Sequence, residues 1–447
     1  MNRRLRGLSA PPLAAAALAA VVFAPPIAAP AAAAPAVHAF VGARVIPIAG
    51  PEIADGVLVI EGGTIAAVGA RGEVAVPPGA EVHDVAGKVI LPGLVDTHTH
   101  VGEVEGGDDS APLHPEARAL DAVDVRHPGL QRAQAGGITT VNVMPGSGHL
   151  MSGQTIYLKL RDGDTIGELS IPDADGNPMG GMKMANGTNS RKDPPFPGTR
   201  AKSAALVRQR FVAAQDYLDQ RERLAGDPGK RPARDLGNEA LGEVLSGRRM
   251  VHHHTHRHDD VMTVLRLKDE FGFRVVLHHV SDAAKVAEEI AAAGVPVSAI
   301  LVDSPGGKLE ARDLRLENAA ALERAGVLVA LHSDDWITDS RLFLRMAAIA
   351  VRAGMSREGA LKAVTLAGAQ MLDLGDRVGS LEAGKDADFA ILSGDPLSVY
   401  TRVLETWVEG ERVFDREDPR DRLWAEGGYG AGEPRAGHVS CFEEVAP

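Results

Sequence analysis

Leu91-Pro92-Gly93-Leu94-Val95-Asp96-Thr97-His98-Thr99-His100 decides how the rest of the chain is read. An apolar run from Val89 to Asp96 reads as a strand, interrupted by a Pro-Gly turn and ending in two histidines one residue apart. Side chains alternate along a strand with period two, so His98 and His100 leave from the same side and can reach one ion. Alone, His-x-His is a weak signal; at the end of an apolar strand it is a stronger one. Three other histidine-bearing segments close apolar runs in the same way. Met250 to His258 carries His252, His253, His254, His256 and His258; Val275 to His279 ends in His278 and His279; Val327 to Asp335 carries His332, Asp334 and Asp335. The four segments hold ten of the 16 histidines, so the clustering is the feature to explain. Imidazoles and carboxylates gathered at strand ends are what a hydrolytic metal site requires.

Working outward, the middle of the chain alternates between strand and helix patterns. Strands are predicted at Val89–Asp96, Ile138–Met144, Thr155–Leu160, Met182–Ala185, Arg249–His254, Arg274–His279, Val295–Val302 and Val327–Leu331. Helical spacing of apolar residues marks Lys202–Arg223, Asp259–Glu270, Ala283–Ala293, Leu314–Ala325, Ser340–Ala353 and Arg357–Leu372. Eight strands with intervening helices predict an α/β fold, a (β/α)8 TIM-like barrel whose active site collects at the C-terminal strand ends. Gly-, Pro- and Asp-rich stretches at 106–128 and 162–197 read as long loops on that face, where they shape substrate access. Short strands at Ala39–Pro47, Gly56–Glu61 and Thr64–Val68, and again at Asp388–Ser393 and Arg402–Glu409, predict a small β-sandwich domain built from both chain ends. The expected division is β domain 36–90, barrel 91–378, β domain again 379–416, and a polar, loosely held tail over 417–447.

Composition sets limits. The 447 residues are 45% hydrophobic, enough for a sizeable core and roughly two domains. A formal charge of −13 argues against a nucleic-acid partner, which needs a basic face. Arg3, Arg4 and Arg6, then the apolar Leu13–Ala24, then small residues around Ala31–Ala36, read as a cleaved export signal over 1–35, too short in its apolar part for a membrane span. Arg3-Arg4 hints at twin-arginine export, although Arg6 stands where that motif prefers an apolar residue. The expected location is periplasmic or secreted, with no membrane contact once the signal is removed. Cys441 is the only cysteine, so no internal disulfide can form.

Gly93 to His100, Leu331-His332-Ser333-Asp334, and the run from Val378-Gly379-Ser380-Leu381 through Asp388 resemble, in the right order, three motifs of the amidohydrolase superfamily. They match its first barrel strand, its eighth and its return to the β domain. The resemblance spans roughly residues 38–415 and is specific for the superfamily, in particular its imidazolonepropionase-like and prolidase-like members, but not for a substrate. It implies a site of one or two divalent metals, zinc above all. His254-Thr255-His256-Arg257 is similar to the fifth-strand pattern whose first histidine binds metal, which implies His254. On the sixth strand His279 matches the ligand, and on the eighth Asp334 does. Lys183, in Gly181-Met182-Lys183-Met184-Ala185, is similar to the fourth-strand lysine that carbon dioxide carboxylates to bridge two metals. A lysine contacting substrate or lying in a loop is the alternative. Without it, His98, His100, His254 and Asp334 still suffice for a mononuclear site.

Chemistry asks for Asp334 independently. Water bound to a metal has its pKa lowered, yet a base must still accept its proton during attack and return it to the leaving group. Asp335 competes, but on an extended chain it faces the opposite way. By the same alternation His253 points away from His252 and His254; His252 and His258 have weaker claims to a metal role. For substrate contacts the candidates are His149, in the Pro-Gly-Ser-Gly-His segment that ends at it, and His256 and Arg257 beside His254. Arg257 either clamps a carboxylate or pairs with Asp259 or Asp260. The expected function is hydrolysis of a C–N bond in a small molecule: an amide, a peptide or a cyclic amide. Deamination, lactone or ester hydrolysis, and a non-catalytic binding protein on the same scaffold are the rivals. A homo-oligomer is compatible with all of them.

Overall fold

The computed structural model describes residues 36–102, 107–301, 308–312, 314–335 and 337–427. The expected export signal, Cys441 and the last part of the predicted tail lie outside those residues.

Eight barrel positions are filled. They are β1 (Leu94–Thr99), β2 (Ile138–Val143), β3 (Met151–Gln154 and Ile156–Lys159, broken at Thr155), β4 (Met182–Ala185), β5 (Val251–Thr255), β6 (Val275–His279), β7 (Val297–Ala299) and β8 (Val329–Leu331). Nearly every residue of these strands is buried, as expected for parallel strands covered on both faces. β1 pairs parallel with β2, and β4 to β8 form one parallel run. The third position departs from the expectation. Ile156–Lys159 runs antiparallel to β2, and Met151–Gln154 runs antiparallel to β4. Seven strands therefore point one way and β3 points against them. The reason is chain length: β2 ends at Val143 and β3 starts at Met151. Roughly a dozen residues are the minimum for a parallel crossover, whereas a short loop suits an antiparallel return.

Among the described residues β1 and β8 share no ladder, so strand pairing does not close the barrel. Contacts at the seam replace one. The Asp334 amide donates to the His98 carbonyl at 2.9 Å, and the Val95 amide to the Val364 carbonyl at 3.0 Å. The helix predicted over 357–372 is two helices, Arg357–Ala363 and Leu366–Met371, broken so that the second packs under the seam. Gly368 permits this approach; a Cβ there would stand 2.9 Å from the Val95 carbonyl oxygen. Among the described residues four α-helices carry no prediction: Pro128–Ala135 before β2, Ile166–Leu169 after β3, Leu236–Leu245 before β5 and Pro419–Glu426 in the tail.

Both chain ends contribute to a single eight-stranded sheet. Its path runs Glu411–Asp415, Val403–Val408, Phe389–Leu392, Val89–Pro92, Val37–Val45, Ile53–Glu61, Thr64–Ala70, with Glu81–Asp84 beside Val37–Val45. It encloses Phe40, Leu58, Ile60, Ile90, Phe389, Ile391 and Trp407. Gly93 separates this sheet from β1, and a Cβ there would meet Thr139 Oγ1 at 2.2 Å. Buried Lys159 at the end of β3 pairs with Asp388 at 2.5 Å and Asp386 at 2.9 Å, which ties the reversed strand to the returning motif. Part of the predicted tail is ordered: Asp418 caps a helix over Pro419–Glu426, and Trp424 packs on the barrel core. No helix among the described residues is long and apolar enough to cross a membrane.

Candidate metal centre

The histidine segments converge at the C-terminal ends of β1, β5, β6 and β8. His98 is fully buried and His100 nearly so. Asp334 Oδ1 lies 3.0 Å from His100 Nε2 and 3.4 Å from His98 Nε2. Lys183 Nζ, from fully buried β4, lies 3.0 Å from His98 Nε2. Ligands about 2.0–2.1 Å from a tetrahedral zinc stand roughly 3.3 Å from one another. The distances from Asp334 Oδ1 to both histidines match that spacing, and His98, His279 and Asp334 each offer one donor atom within 4.8 Å of the others, so the group fits a first-row divalent ion. His100 Nδ1 sits 2.7 Å from the Met144 carbonyl, to which it can donate, and this orients Nε2 toward Asp334.

His279 stands at the far side of Asp334, its Nδ1 4.0 Å from Asp334 Oδ2. The rings of His254 and His279 are 4.4 Å apart. Among the described residues neither nitrogen of buried His254 has a hydrogen-bond partner, and neither does His279 Nε2. Backbone strain concentrates here: His279, Val280 and Asp334 have φ of 72°, 46° and 48°, the left-handed region that L-residues avoid.

Electrostatics suit ligation. Burial pushes His98, His254 and His279 well below the ordinary imidazole range, helped by Lys183 and neighbouring histidines, so each keeps a lone pair. Burial lowers Lys183 to about 7, against the opposing pull of Asp334. For Asp334, burial disfavours the charge. The His100 hydrogen bond and the positive groups around it outweigh that and hold the carboxyl at about 2.

The remaining predicted residues sit as follows. His253, buried, has its Nδ1 3.0 Å from the His254 carbonyl. His252 bonds Tyr157 and His278, and His258 pairs with Asp282. Asp335 turns to Ser340, accepting from its amide at 3.0 Å. His332 packs face-on to His98 and places Nδ1 2.8 Å from Ser298 Oγ. Arg257 is committed to Asp259 through two bonds of 2.9 and 2.8 Å. His149 is buried under the 107–109 segment, with Nε2 2.9 Å from the Asp108 carbonyl. His256 stacks on His279.

Three residues of the site carry no sequence assignment. Asp96, fully buried, accepts from the amides of His98 and Ser333 and from the Ser333 hydroxyl, which staples β1 to β8 directly below His98 and Asp334. It lies inside the decisive motif, where only its place in the strand was read. His278 lies 3.2 Å from His98 Nδ1. Glu310, buried beside His254 and His256, comes from a charged stretch whose sequence carries no motif. A cavity of about 380 Å³ at the other end of the barrel, lined by Tyr157, Arg249 and Met250, holds none of the clustered histidines.

Comparison with known proteins agrees with this geometry. The sequence model of the amidohydrolase family matches residues 275–414. A crystal structure of an amidohydrolase from Thermotoga maritima MSB8 superposes with a TM-score of 0.79 at 33% identity, covering 85% of this chain and all of that one. The imidazolonepropionase of Pseudomonas putida is 29% identical over 370 residues, 75% of this chain and 87% of the relative. An amidohydrolase of Hapsidospora irregularis is 28% identical over 370 residues, 76% of this chain, but the chain spans only 38% of that protein's length.

Proposed function

The chain belongs to the amidohydrolase family, and from that premise we propose that it hydrolyses a C–N bond of a small molecule, an amide, peptide or cyclic amide, at a divalent-metal centre built around Asp334. The observation that carries the reading is the spacing of His98 Nε2, His100 Nε2 and Asp334 Oδ1, with Lys183 Nζ against His98. His98, His100, Asp334 and Lys183 would hold one ion, and His254 and His279 face the same space. A bound ion, zinc by its donor set, supplies a Lewis acid for the scissile carbonyl and lowers the pKa of water.

The chain's own residues do the rest. Asp334 is ionised across the physiological range, so it can take a proton from the attacking water and deliver it to the leaving nitrogen. Its amide bond to the His98 carbonyl and the Asp96 staple fix it against β1. Lys183 near 7 is in part a free amine at neutral pH, the form that adds to carbon dioxide with loss of a proton to give a carbamate. Such a group replaces an ammonium, costly to bury, with an anion facing cations. His149 and Arg257 are the proposed direct substrate contacts; Arg257 must exchange Asp259 for a substrate carboxylate. Export to the periplasm or beyond belongs to the same proposal, supported by the arginines and apolar run of residues 1–35.

The test joins metal analysis of purified protein to a screen of dipeptides, N-acyl amino acids and cyclic amides, scored for amine and for ammonia. Amine or ring-opened product from a metal-containing protein is expected. Ammonia alone would move the reading to deamination, and full activity in Asp334→Asn would overturn the mechanism.

A further inference from the structure

We propose a second divalent-cation site held by His254, His256 and Glu310, beside the group around Asp334 and separate from it. It rests on the metal-centre reading only for His254 as a ligand. One donor atom from each of the three buried residues lies within 4.8 Å of the others. Both His254 nitrogens, His256 Nε2 and Glu310 Oε1 are buried without a hydrogen-bond partner among the described residues. Buried polar atoms are rarely left so, and a single ion would satisfy one on each of the three adjoining side chains.

Each side chain is also held for that task. His256 Nδ1 lies 2.7 Å from Ser281 Oγ; donating there fixes the tautomer that leaves the Nε2 lone pair free. The Ser281 carbonyl in turn accepts from Asn318 Nδ2 at 2.7 Å, which fixes that residue. Glu310 uses its other oxygen, Oε2, to accept from the Thr188 amide at 2.7 Å and faces Arg200 Nη2 at 3.4 Å. Its carboxylate is thus anchored while Oε1 remains open. Two imidazole nitrogens and one carboxylate oxygen suit zinc, cobalt or iron(II), and three protein donors leave coordination positions for a carboxylate or carbonyl oxygen of the substrate. Lys308, in the same turn as Glu310, has a charge that reaches Glu310 and Asp334 and competes with a cation. With three protein donors against the four around the first ion, this site is the weaker of the two. It also makes a two-ion centre independent of whether Lys183 is carboxylated.

The experiment is a cobalt(II) titration of the full chain after chelator treatment, followed by d–d absorption and by elemental analysis, with folding checked by circular dichroism. Wild type is expected to bind two ions of different affinity. Glu310→Gln and His256→Asn should each lose the weaker ion and keep the tighter; Asp334→Asn should lose the tighter and keep the weaker. His256→Asn guards against Glu310→Gln acting through the Arg200 contact. Retention of both ions in both variants would overturn the proposal. A wild type with one ion, removed by Asp334→Asn alone, would overturn it too and leave the proposed function standing. A wild type that binds no ion would overturn both.

Discussion

His254 and His278 are backbone partners on adjacent strands, one residue opposite the other, yet their rings have opposite surroundings. Both nitrogens of His278 are occupied, at 3.2 Å from His98 and 3.0 Å from His252, and the line continues from His252 to the Tyr157 hydroxyl at 2.9 Å. Both nitrogens of His254 are open. A saturated imidazole orients its neighbours and stabilises the fold, whereas an unsaturated one in the same interior is a donor held for something else. On the proposed reading His278 and His252 are scaffold and His254 is site.

The largest break of that division is expected on the site side. Asp334→Asn should lower kcat by about 10³-fold, with the thermal midpoint of the metal-free protein little changed; steady-state kinetics beside a melting curve taken after chelation checks both. His254→Ala and His278→Ala should then separate. Removing His278 strands nitrogens of His98 and His252 in the core and should cost about 2–6 kcal/mol, at 1–3 kcal/mol for each unpaired buried group. Removing His254 strands no hydrogen-bond partner among the described residues, so beyond the cavity that both variants leave it should lose metal and cost less stability than His278→Ala. Denaturant unfolding of both variants measures this, and equal losses would erase the distinction.

Acid stability follows from the same burial. Desolvation brings His252 and His332 to about 3 and His253 to about 4. Below the unfolded imidazole value of about 6.5 the unfolded chain binds more protons than the native one, so stability falls as pH falls. The slope is on the order of 1.4 kcal/mol per pH unit for each such histidine. Melting curves between pH 7 and 5 should show a steep decline, shallower in His278→Ala. The smallest effect is expected at Arg257, already paired with Asp259 and about two-fifths exposed. Arg257→Ala should raise KM less than tenfold and leave folding intact.

Much of this was legible in the sequence because the signals were local. Strand Met182–Ala185 has the predicted bounds, and His98 and His100 face Asp334 as alternation requires. The reversed β3 was legible but unread. Even the predicted ends, Met144 and Thr155, leave only ten residues between strands, too few for a helical crossover. Asp96 and Glu310 were not legible in the same way. Their partners, Ser333 for one and His254, His256 and Thr188 for the other, are distant in sequence, and a carboxylate gives no sign of what it meets in three dimensions. The break at Val364 and Thr365 was hidden because helical periodicity continues across it; only the need to reach Val95 at the seam interrupts it.

The central claim is that Asp334 works with metal held by His98 and His100. The most direct measurement is amide hydrolysis and metal content of one preparation before chelation, after chelation and after zinc is restored, run in parallel on Asp334→Asn. The account expects wild-type activity to vanish with the metal and return with zinc, while Asp334→Asn stays inactive throughout. Activity that survives complete metal removal, or an Asp334→Asn protein as active as wild type, would contradict it.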